Sequence, residues 1–313
     1  MQELMQQVRR LQIRTRRQVS DVLAGAYLSV FKGSGVEFDE VRPYVPGDDV
    51  RSIDWNVTAR TGVPHIKRFV EERELSMMLL VDVSASMDCG ADKTKRAIAA
   101  EFAALISFSA MANQDKVGVM LFSNRDHLFI PPRKGQQHGL RIIRELLSPN
   151  FDQAIPKEDR SWWAKWARWW RQYGEGHNRQ TDLKAGLEFC QQILKRRSIV
   201  FVISDCRDDG YWKQLQALNQ KHDVVLVQTV DQLESKIPAL GLVRVEDAES
   251  GASKWIDTRD SNWQVFQKRT YDAFVSTITT RAMRAGIDHI VVRTDEDAIE
   301  PLMAFMRRRE KRR

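Results

Sequence analysis

The sequence predicts an α/β fold: a mostly parallel sheet with helices on both faces, an N-terminal extension and a late β-hairpin. Three observations carry this. Short runs at 77–83, 117–122, 199–203, 224–230 and 287–292 are apolar throughout, as in strands buried on both faces. Helical stretches of 10 to 20 residues separate most of them. Gly, Pro, Asp and Asn cluster at the breaks.

Taken in order, residues 1–30 read as a helix, with Leu4, Val8 and Leu11 on one stripe and Arg9, Arg10, Arg14 and Arg17 largely off it. "GSGVEFDEVRPYVPGDDVRSIDWNVTARTGVPHIKRF" follows, rich in turn residues, with short β-type pieces between the breaks. From Glu74 the alternation becomes regular, with helices expected at 93–112, 136–147, 183–195 and 212–221. "HLFIPP" closely follows the second strand, which predicts a hairpin to an edge strand. "GLVRVEDAESGASKWID" (241–257) reads as a second hairpin, turning near Glu249–Ala252. The chain thus divides into an N-terminal helix and signature segment, 1–73, and an α/β domain, 74–313, with a Trp-rich insertion at 158–176.

With 42% hydrophobic residues the chain has material for a sizeable core. No apolar run approaches the roughly 18–20 residues a membrane span needs, and the first residues contain no signal-peptide h-region. Cys89, Cys190 and Cys206 are odd in number and lack zinc-ligand spacing, so free thiols in a reducing cytoplasm are expected. The net charge of +7 is uneven: residues 1–17 and 307–313 together carry +9, leaving −2 for everything between. Such ends could touch nucleic acid or an acidic membrane surface, at the inner membrane for instance. The simpler expectation is solvated helix faces and a frayed tail.

The stretch "LLVDVSASMD" ends a buried strand with Asp82, Ser84 and Ser86 at alternating positions. In near-extended backbone these three oxygens share one side, just past a strand end where open α/β sheets hold ligands. A hard cation such as Mg²⁺ takes oxygen ligands of this kind. Thr181, ahead of an apolar-periodic helix, and Asp205, at the end of "VFVISD", could supply the missing ones. The competing reading is helix capping by Ser86, Asp88, Thr181 or Asp182, each worth about 1 kcal/mol. It assigns one residue per helix and leaves the alternation unexplained.

The ordered set Asp82-x-Ser84-x-Ser86, Thr181, Asp205 resembles the metal-ion-dependent adhesion site of von Willebrand factor type A domains. "GVEFDEVRPYVPGDDVRSIDWNVTARTG", "KRFVEERELSMMLLVDVSASM", "DKVGVMLFS", "TDLKAGL" and "HDVVLVQTVD" resemble the bacterial family known as domain of unknown function 58, over roughly residues 30–310. The resemblance implies a Rossmann-like sheet with Mg²⁺, or Mn²⁺ or Ca²⁺ in its place, on its rim. Both serines and Thr181 would ligate directly, Asp82 and Asp205 largely through water, and a partner's carboxylate would complete the shell. Relatives occur beside MoxR-type AAA+ ATPases and are suspected adaptors or co-chaperones. The implied role is metal-dependent protein binding without catalysis.

Rival readings draw on the same residues. A metal-dependent hydrolase would use Asp82 and Asp205, but an aspartyl phosphohydrolase would want an acid where Ser84 stands. No G-x-S-x-G, H-E-x-x-H or P-loop pattern occurs. A nucleic-acid or membrane-surface binder would act through the basic ends.

Two further stretches are candidate partner-binding surfaces. Asp48, Asp49 and Asp54 with Arg42, Arg51, Arg60 and Trp55 predict an ordered ion-pair network or a docking face. In "SWWAKWARWWRQYGEGHNRQ", Trp162, Trp166, Trp169 and Trp170 form a helical stripe bordered by Lys165, Arg168 and Arg171. That stripe suits packing onto the domain, an interface hot spot or a membrane surface.

Overall fold

The computed structural model describes residues 30, 36–71, 75–123, 127–148, 183–208, 210–246 and 252–312. The segment before the main domain forms a small antiparallel sheet of β1 (Val36–Pro43) and β2 (His65–Glu71), bridged by helix α1 (Trp55–Thr61). The main sheet contains β3 (Ser76–Asp82), β4 (Lys116–Phe122), β5 (His127–Arg133), β6 (Ile199–Ser204), β7 (Asp223–Val230) and β10 (Asp288–Arg293), in the order β10-β7-β6-β3-β4-β5. All neighbours are parallel except β5, which runs antiparallel to β4 at the edge. Pro131 and Pro132 explain that position, because proline cannot donate to a ladder on both sides.

Helices α2 (Lys95–Ala112), α3 (Gln136–Leu147) and α8 (Ile299–Glu310) cover one face, where Ile98, Phe102, Ile142 and Phe305 meet Leu79, Val119 and Phe201. On the other face lie α4 (Leu183–Ile193), α5 (Trp212–Lys221) and α7 (Ser261–Arg284). Their Leu187, Leu215 and Ile278 meet Leu80, Val202 and Leu226. Burial on both faces accounts for strands apolar at every position, because each face needs its own set of side chains. This is the Rossmann-like arrangement expected from the sequence. α4 lies close on the sheet: a Cβ at Gly186 would stand 3.2 Å from Leu80 Cδ1.

The short helix α6 (Gln232–Ser235) and the hairpin β8 (Leu242–Glu246) with β9 (Ser253–Asp257) connect β7 to α7. The 24-residue α7 buries only Ile278 and Ala282. The predicted helix at 1–30 lies outside the described residues except for Val30, which is buried in the core.

The C-terminal basic run is not the frayed tail expected. Arg307, Arg308 and Arg309 form the last turn of α8, where cations complement the helix dipole. Arg309 pairs with Asp223 and lies 3.6 Å from Asp288, and Arg312 reaches Asp288 at 3.1 Å. Both aspartates start parallel strands, so this basic end is folded onto the amino-terminal edge of the sheet. Among the described residues no helix is long and apolar enough to cross a membrane.

Candidate metal centre

The crossover from β3 through α2 to β4 runs one way along the sheet, and that from β6 through α5 to β7 runs the other. The switch point therefore falls between β3 and β6, where an open α/β sheet leaves a crevice at its carboxyl edge. Asp82 ends β3 there, Ser204 ends β6, and Asp205 follows it as the first residue of the loop.

Asp82 is only 1% exposed. Its Oδ1 accepts the Ser84 backbone N–H at 2.9 Å, and its Oδ2 accepts the Ser204 hydroxyl at 2.7 Å. The loop is extended only as far as Ser84 (φ −64°, ψ 167°); Ala85–Asp88 then form a 3₁₀ turn. That differs from a loop extended through Ser86, yet the turn still brings Ser84 Oγ and Ser86 Oγ to 3.1 Å. Met87, fully buried, pins the turn and receives the Thr229 hydroxyl on its sulfur.

Capping is not what these serines do. Ser84 precedes the 3₁₀ turn but makes no side-chain cap bond. Helix α2 is capped by Thr94, which accepts from Ala97 N–H at 3.1 Å.

Asp205, also buried, accepts Arg207 N–H on Oδ1 at 3.2 Å and the Lys95 ammonium on Oδ2 at 2.9 Å. The next residue, Cys206, is held at φ 59°, in the left-handed region that non-glycine residues seldom occupy. Its N–H donates to Ser204 Oγ at 3.1 Å. One hydroxyl thus fixes the kink after β6 and bonds the carboxylate at the end of β3.

Three residues of this centre escape a motif reading: Ser204, Lys95 and Glu234. Lys95 is 2% exposed and also donates to Glu234 Oε1 on α6 at 2.8 Å; Arg207 joins Glu234 at 3.2 Å. A sequence signal for Lys95 exists. It is the first residue of α2, where the helix dipole disfavours a cation, so another partner must hold it.

Burial, and then the nearby Asp205 carboxylate, push the Asp82 carboxyl up to about 7, against the hydrogen bonds from Ser84 and Ser204. Burial works against the Lys95 charge, but Asp205 and Glu234 outweigh it and raise its pKa overall. The donor set is hydroxyl and carboxylate oxygen, which suits Mg²⁺ or Ca²⁺ and not a soft metal. Two crowded carboxylates of which one repels the other's charge also fit an added cation. Among the described residues no three His, Cys, Asp or Glu gather as a metal cluster, so this centre depends on its hydroxyls.

Thr181 lies outside the described residues. The first described residue after it, Leu183, gives its N–H to Asp208 Oδ2 at 2.9 Å, which ties the start of α4 to the loop that carries Asp205. Trp162, Trp166, Arg168 and Trp169 also lie outside the described residues.

Asp48 takes a two-pronged bond from Arg42, at 2.7 and 2.9 Å, and one from Val45 N–H. The Arg42 bond, first among these contacts, holds its carboxyl below the usual range. Asp49 caps the short turn Val50–Ser52 through Arg51 N–H. Both carboxylates thus have local structural partners, and Trp55 nearby is 69% exposed.

A family model described as "Protein of unknown function DUF58" matches residues 40–273. The chain is similar to the uncharacterized protein Rv1480 of Mycobacterium tuberculosis (strain ATCC 25618 / H37Rv), 29% identical over 307 residues, covering 97% of this chain and 89% of that one. A shorter match, 28% identical over 116 residues, is to the uncharacterized protein YeaD of Bacillus subtilis (strain 168), covering 37% of this chain and 27% of that one. Among solved structures, the SpRpn10 VWA domain overlaps 73% of this chain and 94% of its own, with 11% identity and a TM-score of 0.33.

Proposed function

We propose that this chain, which belongs to the DUF58 family of proteins of unknown function, is a non-catalytic, Mg²⁺-dependent protein-binding module. Its partner would be a MoxR-type AAA+ ATPase or that enzyme's client, with the chain as adaptor or co-chaperone. The observation that carries the reading is the meeting of Asp82, Ser84, Ser86 and Asp205 at the switch point of the sheet, with the two serine oxygens 3.1 Å apart.

Ser84 and Ser86 would hold the cation directly, with Thr181. Asp82 and Asp205 would orient its waters, because each already spends part of both oxygens on internal bonds. When bound, the metal supplies a Lewis-acidic position open to a carboxylate from another protein. Ser204 would keep the Asp82 carboxylate in place through its hydroxyl. Ser84 and Ser86 face each other across 3.1 Å, which suits two hydroxyls sharing one cation.

The test is affinity capture of a purified MoxR-type ATPase by the wild type and by Asp82→Ala, each with Mg²⁺ and with chelator. Capture should need both Mg²⁺ and Asp82. Binding that survives chelation unchanged would overturn the metal bridge. Turnover of a generic phosphate ester that disappears in Asp205→Ala would support a hydrolase instead.

A further inference from the structure

We infer that Lys95 is a resident cation of the metal centre, which occupies Asp205 and thereby sets how tightly a divalent ion is held. The inference rests on the proposed reading of the site as a metal centre and extends it to regulation.

The Lys95 ammonium is buried and donates to two carboxylates, Asp205 at 2.9 Å and Glu234 at 2.8 Å. A buried lysine is costly unless it is paired, and one partner would suffice to pair it. Here the second partner, Glu234 on α6, is not one of the proposed ligands. When a divalent ion draws on Asp205, Lys95 still has Glu234, so the ammonium need not be left unpaired. The two carboxylates give one cation a place in either state of the centre.

Nothing in the packing of α2 calls for a charge at this position. Thr94 already caps the helix, and a cation in its first turn opposes the dipole. Lys95 is therefore placed at some cost where it competes for the carboxylate. Glu234 in turn is positioned from the second face of the sheet: Gln267 of α7 donates to the Glu234 carbonyl at 3.1 Å, and Arg207 bonds its carboxylate while lying 5.3 Å from the Phe274 ring centre. A partner seated on α7 would thus act on the second acceptor of Lys95, and through it on the metal.

The experiment is calorimetric titration of the full chain with Mn²⁺, using wild type, Lys95→Met, Asp205→Asn, the double variant Lys95→Met/Asp205→Asn, and Asp82→Ala as the site control. Removing a competing charge a few ångströms from the ligand should tighten Mn²⁺ binding about tenfold in Lys95→Met. In the Asp205→Asn background the same change should have much less effect, because the contested carboxylate is gone. Glu234→Gln, a milder change that keeps Lys95, should weaken binding about threefold by leaving the ammonium on Asp205 alone. A merely structural Lys95 would give weaker binding in both Lys95→Met and Glu234→Gln. Equal affinity of wild type and Lys95→Met, or an equal gain with and without Asp205, overturns the inference while leaving the metal centre in place. No Mn²⁺ binding by any chain overturns the metal centre itself, and with it this inference.

Discussion

Asp82 and Ser204 end adjacent parallel strands, one residue beyond the paired positions Val81 and Ile203, and the Ser204 hydroxyl donates to Asp82 Oδ2 at 2.7 Å. A carboxylate so enclosed is solvated by the protein alone. Its ionisation is therefore tied to the stability of the fold and to whatever cation stands nearby.

For metal-free protein this has a definite sign. Burial pushes the Asp82 carboxyl from its ordinary 3.8 up to about 7 in the folded state, so the folded chain holds the proton more tightly than the unfolded one. Stability should fall as pH rises from 4 to 7, by up to ~4 kcal/mol, and then level. Urea midpoints at pH 5 and 7.5 measure the slope. Asp82→Asn should flatten it, and Mg²⁺ should restore stability at pH 7.5 in wild type only. An unchanged slope in Asp82→Asn would assign it elsewhere.

His289 works in the opposite direction. Burial, with Arg308 nearby, holds the imidazole down to about 4, and its Nδ1 faces Thr279 Oγ1 at 3.2 Å. Its contribution is present above the unfolded value of 6.5 and is lost as pH falls toward 4, by up to ~3 kcal/mol. His289→Gln should remove this acid sensitivity, so its denaturation midpoint should change less than that of wild type between pH 6.5 and 4.5.

The three thiols should differ in reactivity. Cys190 is buried and pushed up to about 12, Cys206 is buried and likewise raised, and Cys89 is exposed. Native protein should release about one equivalent of thionitrobenzoate from Ellman's reagent quickly, and denatured protein about three. Fast release of a second equivalent would mean that α4, which carries Cys190, or the end of β6 opens readily.

Arg309 should matter to stability more than to nucleic acid. Arg309→Ala leaves Asp223 and Asp288 less well paired at the starts of β7 and β10, and should cost about 1–3 kcal/mol in chemical denaturation. If the basic end serves instead to hold DNA or RNA, deletion of 307–313 would abolish a steeply salt-dependent affinity and leave the denaturation midpoint nearly unchanged.

Much of this architecture is legible in the sequence because its strands are buried on both faces. Unbroken apolar runs located the central strands to within a residue or so, and the short link before "HLFIPP" marked the edge strand. Helices 136–147 and 212–221 end where the pattern says, because each carries its apolar stripe to the last turn. The pattern is silent on α7, which buries too few residues to impose a period. At the candidate centre, alternation pointed to Asp82, Ser84 and Ser86, since they follow one another in the chain. Ser204, Lys95 and Glu234 are brought in by sheet order and crossover direction. Ser204 lies 122 residues from Asp82, and Lys95 lies 110 from Asp205 and 139 from Glu234. The cation at the start of α2 marks Lys95 as needing a partner, but nothing local says which. The docked C-terminal arginines escape for the same reason: a basic run looks the same whether it faces water or two aspartates at strand starts.

The left-handed turn at Cys206 bears on the thermodynamics of ligand capture. A residue held at φ 59° draws on the free energy of folding, and the bond from its N–H to Ser204 keeps it there. The conformational entropy of aiming Asp205 is thus lost once, when the chain folds, and not again with every ligand that arrives. Capture at such a rim would be expected to show a small entropy penalty and little rearrangement of the β6 loop. Replacing Cys206 with glycine would relax the turn, and any loss of affinity should then appear chiefly in the entropy of binding.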